Sequence, residues 1–286
     1  MPFWKSVLHV MDEPSMHDLS GKTLFITGGS RGIGRAIALR AAQEGANVVL
    51  NAKTDQPHPK LPGTIHSVAA EIEAAGGKAL PLQVDIRDET RVAWAVEQAR
   101  QTFGGIDMVV NNASAISLSA TLDTPVKRFD LMMQVNLRGT FVVSQACLPA
   151  LLEADNPHIL VLSPPMNLNP RWFKHHTAYT LSKYGMSMCV LGMAAEFSEA
   201  GVGVNALWPM TVIDTAALAM LGGRVHPGQC RDPAIVADAA VAILKRDSRR
   251  CSGNFFLDEE VLRQEGVSDF SIYGGADETL MPDLFV

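Results

Sequence analysis

Short apolar runs recur along this chain with amphipathic stretches between them, and that alternation limits the possible folds more than any other feature. Residues 22–27 read as a strand, followed by helical periodicity over 33–43 and a second strand over 46–50. A Pro-rich bridge, Gln56-Pro57-His58-Pro59, separates these from an expected helix over 65–75. The pattern continues with a strand over 78–84, a helix over 92–103 and a fourth strand over 107–111. A long helix is expected from Pro125 to about Leu152, then a fifth strand over 158–163 that stops at Pro164-Pro165. Residues 177–200 read as helix, 202–208 as a sixth strand and 254–257 as a seventh.

Strands that are apolar on both faces, separated by helices, require a parallel sheet covered on both sides. No linker and no internal repeat divides the chain. One α/β domain is therefore expected over residues 21–260, a doubly wound, Rossmann-type parallel sheet flanked by helices. Residues 1–20 read as an extension, and 261–286 as a tail that is either packed over the site or frayed. With 286 residues, 47% of them hydrophobic, there is enough apolar surface for such a core.

Composition also excludes several roles. No apolar run approaches the roughly 18 residues of a membrane span. The first residues, with Trp4, Lys5, Asp12 and Glu13, lack the apolar stretch of a secretory signal. A net charge of −6 argues against a nucleic-acid partner. Cys147, Cys189, Cys230 and Cys251 are scattered, so neither a disulfide framework nor a metal site is expected, and a cytoplasmic location fits.

Gly28, Gly29, Ser30, Arg31, Gly32, Ile33 and Gly34 fall where the first strand becomes the first helix. Glycines there let the backbone turn sharply and approach a pyrophosphate, whose charge meets the free N–H groups of the helix start. The end of the second strand then discriminates between dinucleotides, because a carboxylate there holds ribose hydroxyls and repels a 2′-phosphate. This chain reads Leu50-Asn51-Ala52-Lys53, without a carboxylate. Lys53 and Arg31 offer two cations, so NADP(H) is the expected cofactor.

Tyr179 and Lys183 stand at i and i+4, on one face of a helix. Bringing a phenol from a pKa of about 10 to near neutrality takes roughly 4 kcal/mol. A cation about 4 Å away supplies that much at an effective dielectric of about 20. One lysine is thus sufficient, and no metal is needed.

The glycine loop, Asn111-Asn112-Ala113-Ser114, Asn136 and the Tyr179/Lys183 pair together resemble the short-chain dehydrogenase/reductase family, collinearly over about residues 21–257. Longer segments are similar to its hydroxysteroid dehydrogenase-like branch, among them Gln56-Pro57-His58-Pro59-Lys60-Leu61, Ser163-Pro164-Pro165-Met166-Asn167-Leu168-Asn169-Pro170 and Lys183-Tyr184-Gly185-Met186-Ser187-Met188. Some members of that branch carry a sterol-carrier-like domain at the C-terminus, which this chain is expected to be too short to hold. The resemblance implies that Gly28 to Gly34 line the pyrophosphate, Lys53 meets the adenosine phosphate and Asp85 the adenine. It places Asn112 and Ala113 beside the cofactor, and Pro209 at the start of the loop contacting the carboxamide, with Met210 replacing the usual glycine. It gives Tyr179 the proton exchanged with substrate, Lys183 the nicotinamide ribose, and Asn136 a water in the relay. It also implies a homodimer or homotetramer.

The family's serine beside the tyrosine is missing. Pro164 falls at its place and Ser163 one residue earlier, on the opposite strand face. Losing such a donor lowers turnover by on the order of 10²–10³. Ser163, Asn167, His175 and His176 are candidate substitutes. Trp172 and Phe173 are expected to shape an apolar mouth or lid, with Met220, Leu221 and Val225 lining the substrate side. The expected reaction is hydride transfer between NADP(H) and a carbonyl or alcohol of a small apolar substrate. Two readings compete: reduction of an enoyl or acyl thioester, and a non-catalytic NADPH-binding scaffold, against which the intact Tyr179, Lys183 and Asn136 argue.

Overall fold

The computed structural model describes residues 16–53, 55–57, 62–216, 218 and 225–286. Most of the N-terminal extension, positions 58–61 of the Pro-rich bridge, and Met220 and Leu221 lie outside the described residues.

Seven strands form the sheet: β1 (Thr23–Thr27), β2 (Asn47–Ala52), β3 (Lys78–Gln83), β4 (Met108–Asn111), β5 (His158–Val161), β6 (Gly203–Trp208) and β7 (Phe255–Leu257). Their order is β3-β2-β1-β4-β5-β6-β7, and every neighbouring pair is parallel. The chain runs outward in one direction from β1 to β3, then returns to add β4 on the other side of β1. That reversal opens a crevice at the carboxyl ends of β1 and β4.

Successive strand side chains point to opposite faces, so a run that is apolar throughout feeds two cores. Leu24 and Ile26 join Val48, Leu50, Met108 and Val110 in one layer, under helices α1 (Gly32–Gln43) and α2 (Ile65–Ala74). Phe25 joins Val49, Val109, Ile159 and Val161 in the other, under α3 (Glu89–Phe103).

The long helix expected after Pro125 is interrupted. It consists of α4 (Val126–Met132), a π-helical turn over Met133–Arg138, and α5 (Gly139–Leu151). Gly139 directly after the turn lies where a Cβ would collide with Ile86, so the helix is drawn close to the segment after β3. Next comes α6 (Thr177–Glu196), which stops short of residue 200 in a turn over residues 197–201. Two helices were not legible in the sequence, α7 (Ala234–Leu244) and α8 (Asp258–Gln264). α7 is buried almost all round, so it shows no amphipathic period to detect. No helix among the described residues is long and apolar enough to cross a membrane.

The last residues return over the carboxyl edge of the sheet. Val212 N–H donates to the Met281 carbonyl, Met281 N–H to the Gln229 carbonyl, and Asp283 N–H to the Met210 carbonyl. These bonds hold residues 281–283 against the segment after β6 and the one before α7.

At the start of β5, His158 is buried with Nε2 donating to the Arg246 carbonyl at 2.9 Å. Burial pushes its pKa down to about 4. The unfolded ring takes a proton at higher pH than the folded one. Its contribution to stability is complete above the ordinary value of 6.5 and is lost as pH falls toward 4. At about pH 5 the loss should be about 2 kcal/mol, read as a lower urea midpoint. His158→Gln should flatten that acid-side slope; equal slopes in parent and variant would contradict the assignment.

Candidate active site

The crevice is closed at its base by one hydroxyl. Thr27 Oγ1 accepts from the N–H groups of Asn112 and Ala113, both at 3.1 Å, and donates to the Val110 carbonyl. In return Asn112 Nδ2 donates to the carbonyls of Thr27 and Gly28. The ends of β1 and β4 are thus stitched together at the point where a dinucleotide would cross.

The glycine loop fits such a ligand. Gly28 and Gly32 adopt φ of +68° and +52°, a region that favours glycine. A Cβ on Gly34 would strike the Gly28 carbonyl and the Asn112 amide, so the helix start can approach this closely only without a side chain. Arg31 at the N-cap places no side-chain acceptor over the first turn of α1, leaving its N–H groups for an anion. Thr215 packs against Gly32 from the loop after β6 and was not foreseen in the sequence; only the folded chain brings it there.

At the end of β2, Asn51 turns its amide inward to the Ile26 carbonyl, so it presents no acceptor outward. Lys53 Nζ lies 3.8 Å from Asp85, and Arg87 grips the same carboxylate with Nε at 2.9 Å and Nη2 at 2.5 Å. The Arg87 guanidinium holds the Asp85 carboxyl below its usual range, with Lys53 adding to the effect. Arg87 is a third cation here that the sequence reading did not single out; its i+2 spacing from Asp85 was the available signal. Arg31 Nη2 donates to the Gly63 carbonyl at 3.2 Å.

Tyr179 and Lys183 both project from α6 and are both buried. Lys183 Nζ donates to the Leu162 carbonyl at 2.7 Å and lies 5.0 Å from the Trp208 ring centre. Asn136 sits in the π-helical turn with its amide fully engaged. Oδ1 accepts from Ala115 N–H and Ser114 Oγ, while Nδ2 donates to the Ala115 carbonyl and Ser182 Oγ. Ser182 Oγ then donates to the Tyr179 carbonyl at 2.7 Å. Asn136 therefore ties the β4 loop to the tyrosine's own helix turn through Ser182, and its side chain has no free position left for a water.

The four candidates for the missing serine separate. Ser163 is fully buried, and its hydroxyl has no partner among the described residues. Asn167 is held away through its backbone, which exchanges hydrogen bonds with Tyr184 Oη. His176 pairs with Thr180 Oγ1, while His175 turns outward in a left-handed backbone conformation, φ +72°. At Pro209, the next residue, Met210, donates its N–H to Asp258 Oδ1 at 2.8 Å.

Residues 22–222 match the family model described as short chain dehydrogenase. The chain belongs to the short-chain dehydrogenase family. It is 61% identical over 269 residues to hydroxysteroid dehydrogenase-like protein 2 of Danio rerio, covering 94% of this chain and 64% of that protein. The protein of the same name from Rattus norvegicus is 60% identical over 274 residues, 96% of this chain and 52% of the relative. The chain thus spans about half to two thirds of the length of these curated relatives. Among solved structures, a putative dehydrogenase from Xanthomonas campestris is 60% identical with a TM-score of 0.91, over 94% of this chain and 98% of the other. A short chain dehydrogenase from Mycobacterium paratuberculosis bound to NAD is 25% identical, with a TM-score of 0.72 over 84% of this chain and 97% of that one.

Burial opposes the expected lowering of the tyrosine by the lysine. Burial pushes the Tyr179 phenol up, and the nearby Asp283 carboxylate adds to it. Burial also pushes Lys183 down to about 7, with Asp283 opposing. The ammonium is engaged by the Leu162 carbonyl, and desolvation outweighs the pairing on which the sequence argument relied. The cause is a lid of side chains. Phe285 shares a buried cluster with Tyr179, Tyr184 and Trp208, and Trp172, Phe173, Leu284 and Val286 pack against it.

Valine in place of Thr27 would leave the N–H groups of Asn112 and Ala113 without their acceptor. Stability in urea should fall by about 2–4 kcal/mol, with cofactor affinity falling alongside. A loss below about 1 kcal/mol would show that the hydroxyl is dispensable.

Proposed function

We propose that this short-chain dehydrogenase transfers a hydride between NADP(H) and a carbonyl or alcohol carbon of a small apolar substrate, with Tyr179 as the acid/base. The observation that carries the reading is the placement of Tyr179 and Lys183 on one buried face of α6, held to the crevice through Ser182, Asn136 and Ala115. NADP(H), when bound, supplies or accepts the hydride at its nicotinamide. Gly28, Gly29, Ser30, Arg31, Gly32, Ile33 and Gly34 cradle its pyrophosphate, and Asn112 and Ala113 run beside it. Asp85 lies at the adenine, and the segment from Pro209 lies at the carboxamide.

Preference for the phosphorylated cofactor is supported by charge. Lys53 and Arg87 stand on Asp85 just past the end of β2, Arg87 already neutralises Asp85, and Arg31 adds a further cation from the glycine loop. A 2′-phosphate would therefore meet spare positive charge rather than a free carboxylate.

In reduction, Tyr179 Oη hands its proton to the oxygen as the carbon gains hydride; in oxidation it takes the proton back. Lys183 holds the ribose and, once its ammonium faces the phenol in an open site, favours the phenolate. Ser163, with its buried unpartnered hydroxyl, is the group available as a second donor to the reacting oxygen. A homodimer or homotetramer is supported by the exposed apolar side chains Val126, Phe129 and Phe141 on α4 and α5, and Leu181, Met188 and Leu191 on α6.

Loss of NADPH absorbance over a ketone and aldehyde panel tests the reading. Tyr179→Phe should lower turnover by about 10²–10⁴ while NADPH binding persists. Turnover at the parental rate would refute the proton assignment. Lys53→Asp should reverse the cofactor preference toward NAD by about tenfold or more; unchanged NADPH affinity would refute the charge argument.

A further inference from the structure

Phe285 lies where a substrate would have to lie. It is 2% exposed, and its ring meets those of Trp172, His176, Tyr179, Tyr184 and Trp208 at centroid distances of 5.3–6.3 Å. Against Tyr179 the two rings are stacked, 28° from parallel. Tyr179 is only 6% exposed, and the Phe285 ring lies over its ring.

The segment is held by specific contacts rather than merely draped. Trp208 Nε1 donates to the Leu284 carbonyl at 2.8 Å, Thr211 and Pro282 form an antiparallel bridge, and Asp283 N–H reaches the Met210 carbonyl. Asp283 also brings a carboxylate to Lys183 and Tyr179. Yet Phe285 itself stands at φ +78°, a left-handed conformation that bulky side chains rarely hold. The packing of its ring therefore works against its backbone, as expected of a contact that can be exchanged for another.

We propose that residues 281–286 are a strap that closes the active site, and that Phe285 occupies the subsite for the apolar part of the substrate. This rests on Tyr179 being the proton carrier. The chemistry of the box identifies its other occupant: an uncharged ring or compact branched alkyl group about the size of a benzyl group, attached to the reacting carbonyl. An aryl ketone has that form. A long charged thioester carrier does not match the aromatic side of the box, formed by Trp172, Tyr184 and Trp208. Substrate and strap then compete for one place, and turnover requires Phe285 to withdraw.

The test uses the full chain with Phe285→Ala, and acetophenone and 2-hexanone as probes. Trp172 and Trp208 both touch Phe285, so tryptophan fluorescence reports ketone binding without any turnover. The variant should bind acetophenone about tenfold more tightly, a difference of about 1.4 kcal/mol, and its KM should fall by the same factor. Acetophenone should gain more than 2-hexanone. Phe285→Leu, which keeps part of the plug, should lie between parent and alanine variant. Unchanged ketone affinity and KM in Phe285→Ala, with NADPH binding intact, would overturn the strap and leave the dehydrogenase reading standing. Tighter ketone binding without turnover in parent or variant would instead support the strap and overturn the role of Tyr179.

Discussion

The parallel pairing of β1 with β4 is the constraint from which the rest follows. Because the chain reverses there, the two strand ends diverge into different loops and leave a crevice between them. Thr27 closes the base of that crevice by serving two N–H groups of the β4 loop and one carbonyl of β4. Buried N–H groups without partners are costly, so this hydroxyl holds the Asn112 and Ala113 backbone in one place. The glycine loop lies on one side of the crevice and the Asn136 network on the other, and each is referred to that fixed seam.

From the seam, order passes to the chemical groups through a short relay. Ala115 is clamped by Asn136, Asn136 by Ser182, and Ser182 by the carbonyl of Tyr179. The π-helical turn is what allows this. A continuous α-helix from Pro125 to Leu152 would carry residue 136 in a different direction, whereas the widened turn puts its amide into the space between the β4 loop and α6. An isolated Asn in a helix signals nothing of the kind, which is why the residue was legible only by resemblance and its four hydrogen bonds not at all.

Two electrostatic effects of similar size oppose each other at the tyrosine. A lysine about 4 Å away stabilises the phenolate by roughly 4 kcal/mol at a moderate effective dielectric. Removing water from the site disfavours both charged forms by up to about 3–5 pKa units. Here the second effect wins: burial pushes the phenol up and the ammonium down to about 7, while Lys183 Nζ donates to the Leu162 carbonyl. Burial thus disfavours the charged form of both groups in this arrangement. Asp283, on the segment that carries Phe285, is itself pushed up to about 7 by burial.

The sequence by itself determined the sheet, its two cores and the cofactor loop, because these depend on local periodicity and on glycines whose role is backbone geometry. It also determined that Tyr179 and Lys183 share a helix face and that no carboxylate follows β2. It could not show α7, which is apolar but for Asp238 because α1, the sheet and α8 enclose it. Nor could it show Arg87 on Asp85, Thr215 on Gly32, or Phe285 among five aromatic rings. The last two are contacts between segments far apart in the chain, where burial and shape outweigh every local preference. Only the tertiary structure decided that the last residues lie on the tyrosine, since nothing in a loosely patterned tail specifies its partner until the pocket that receives it exists.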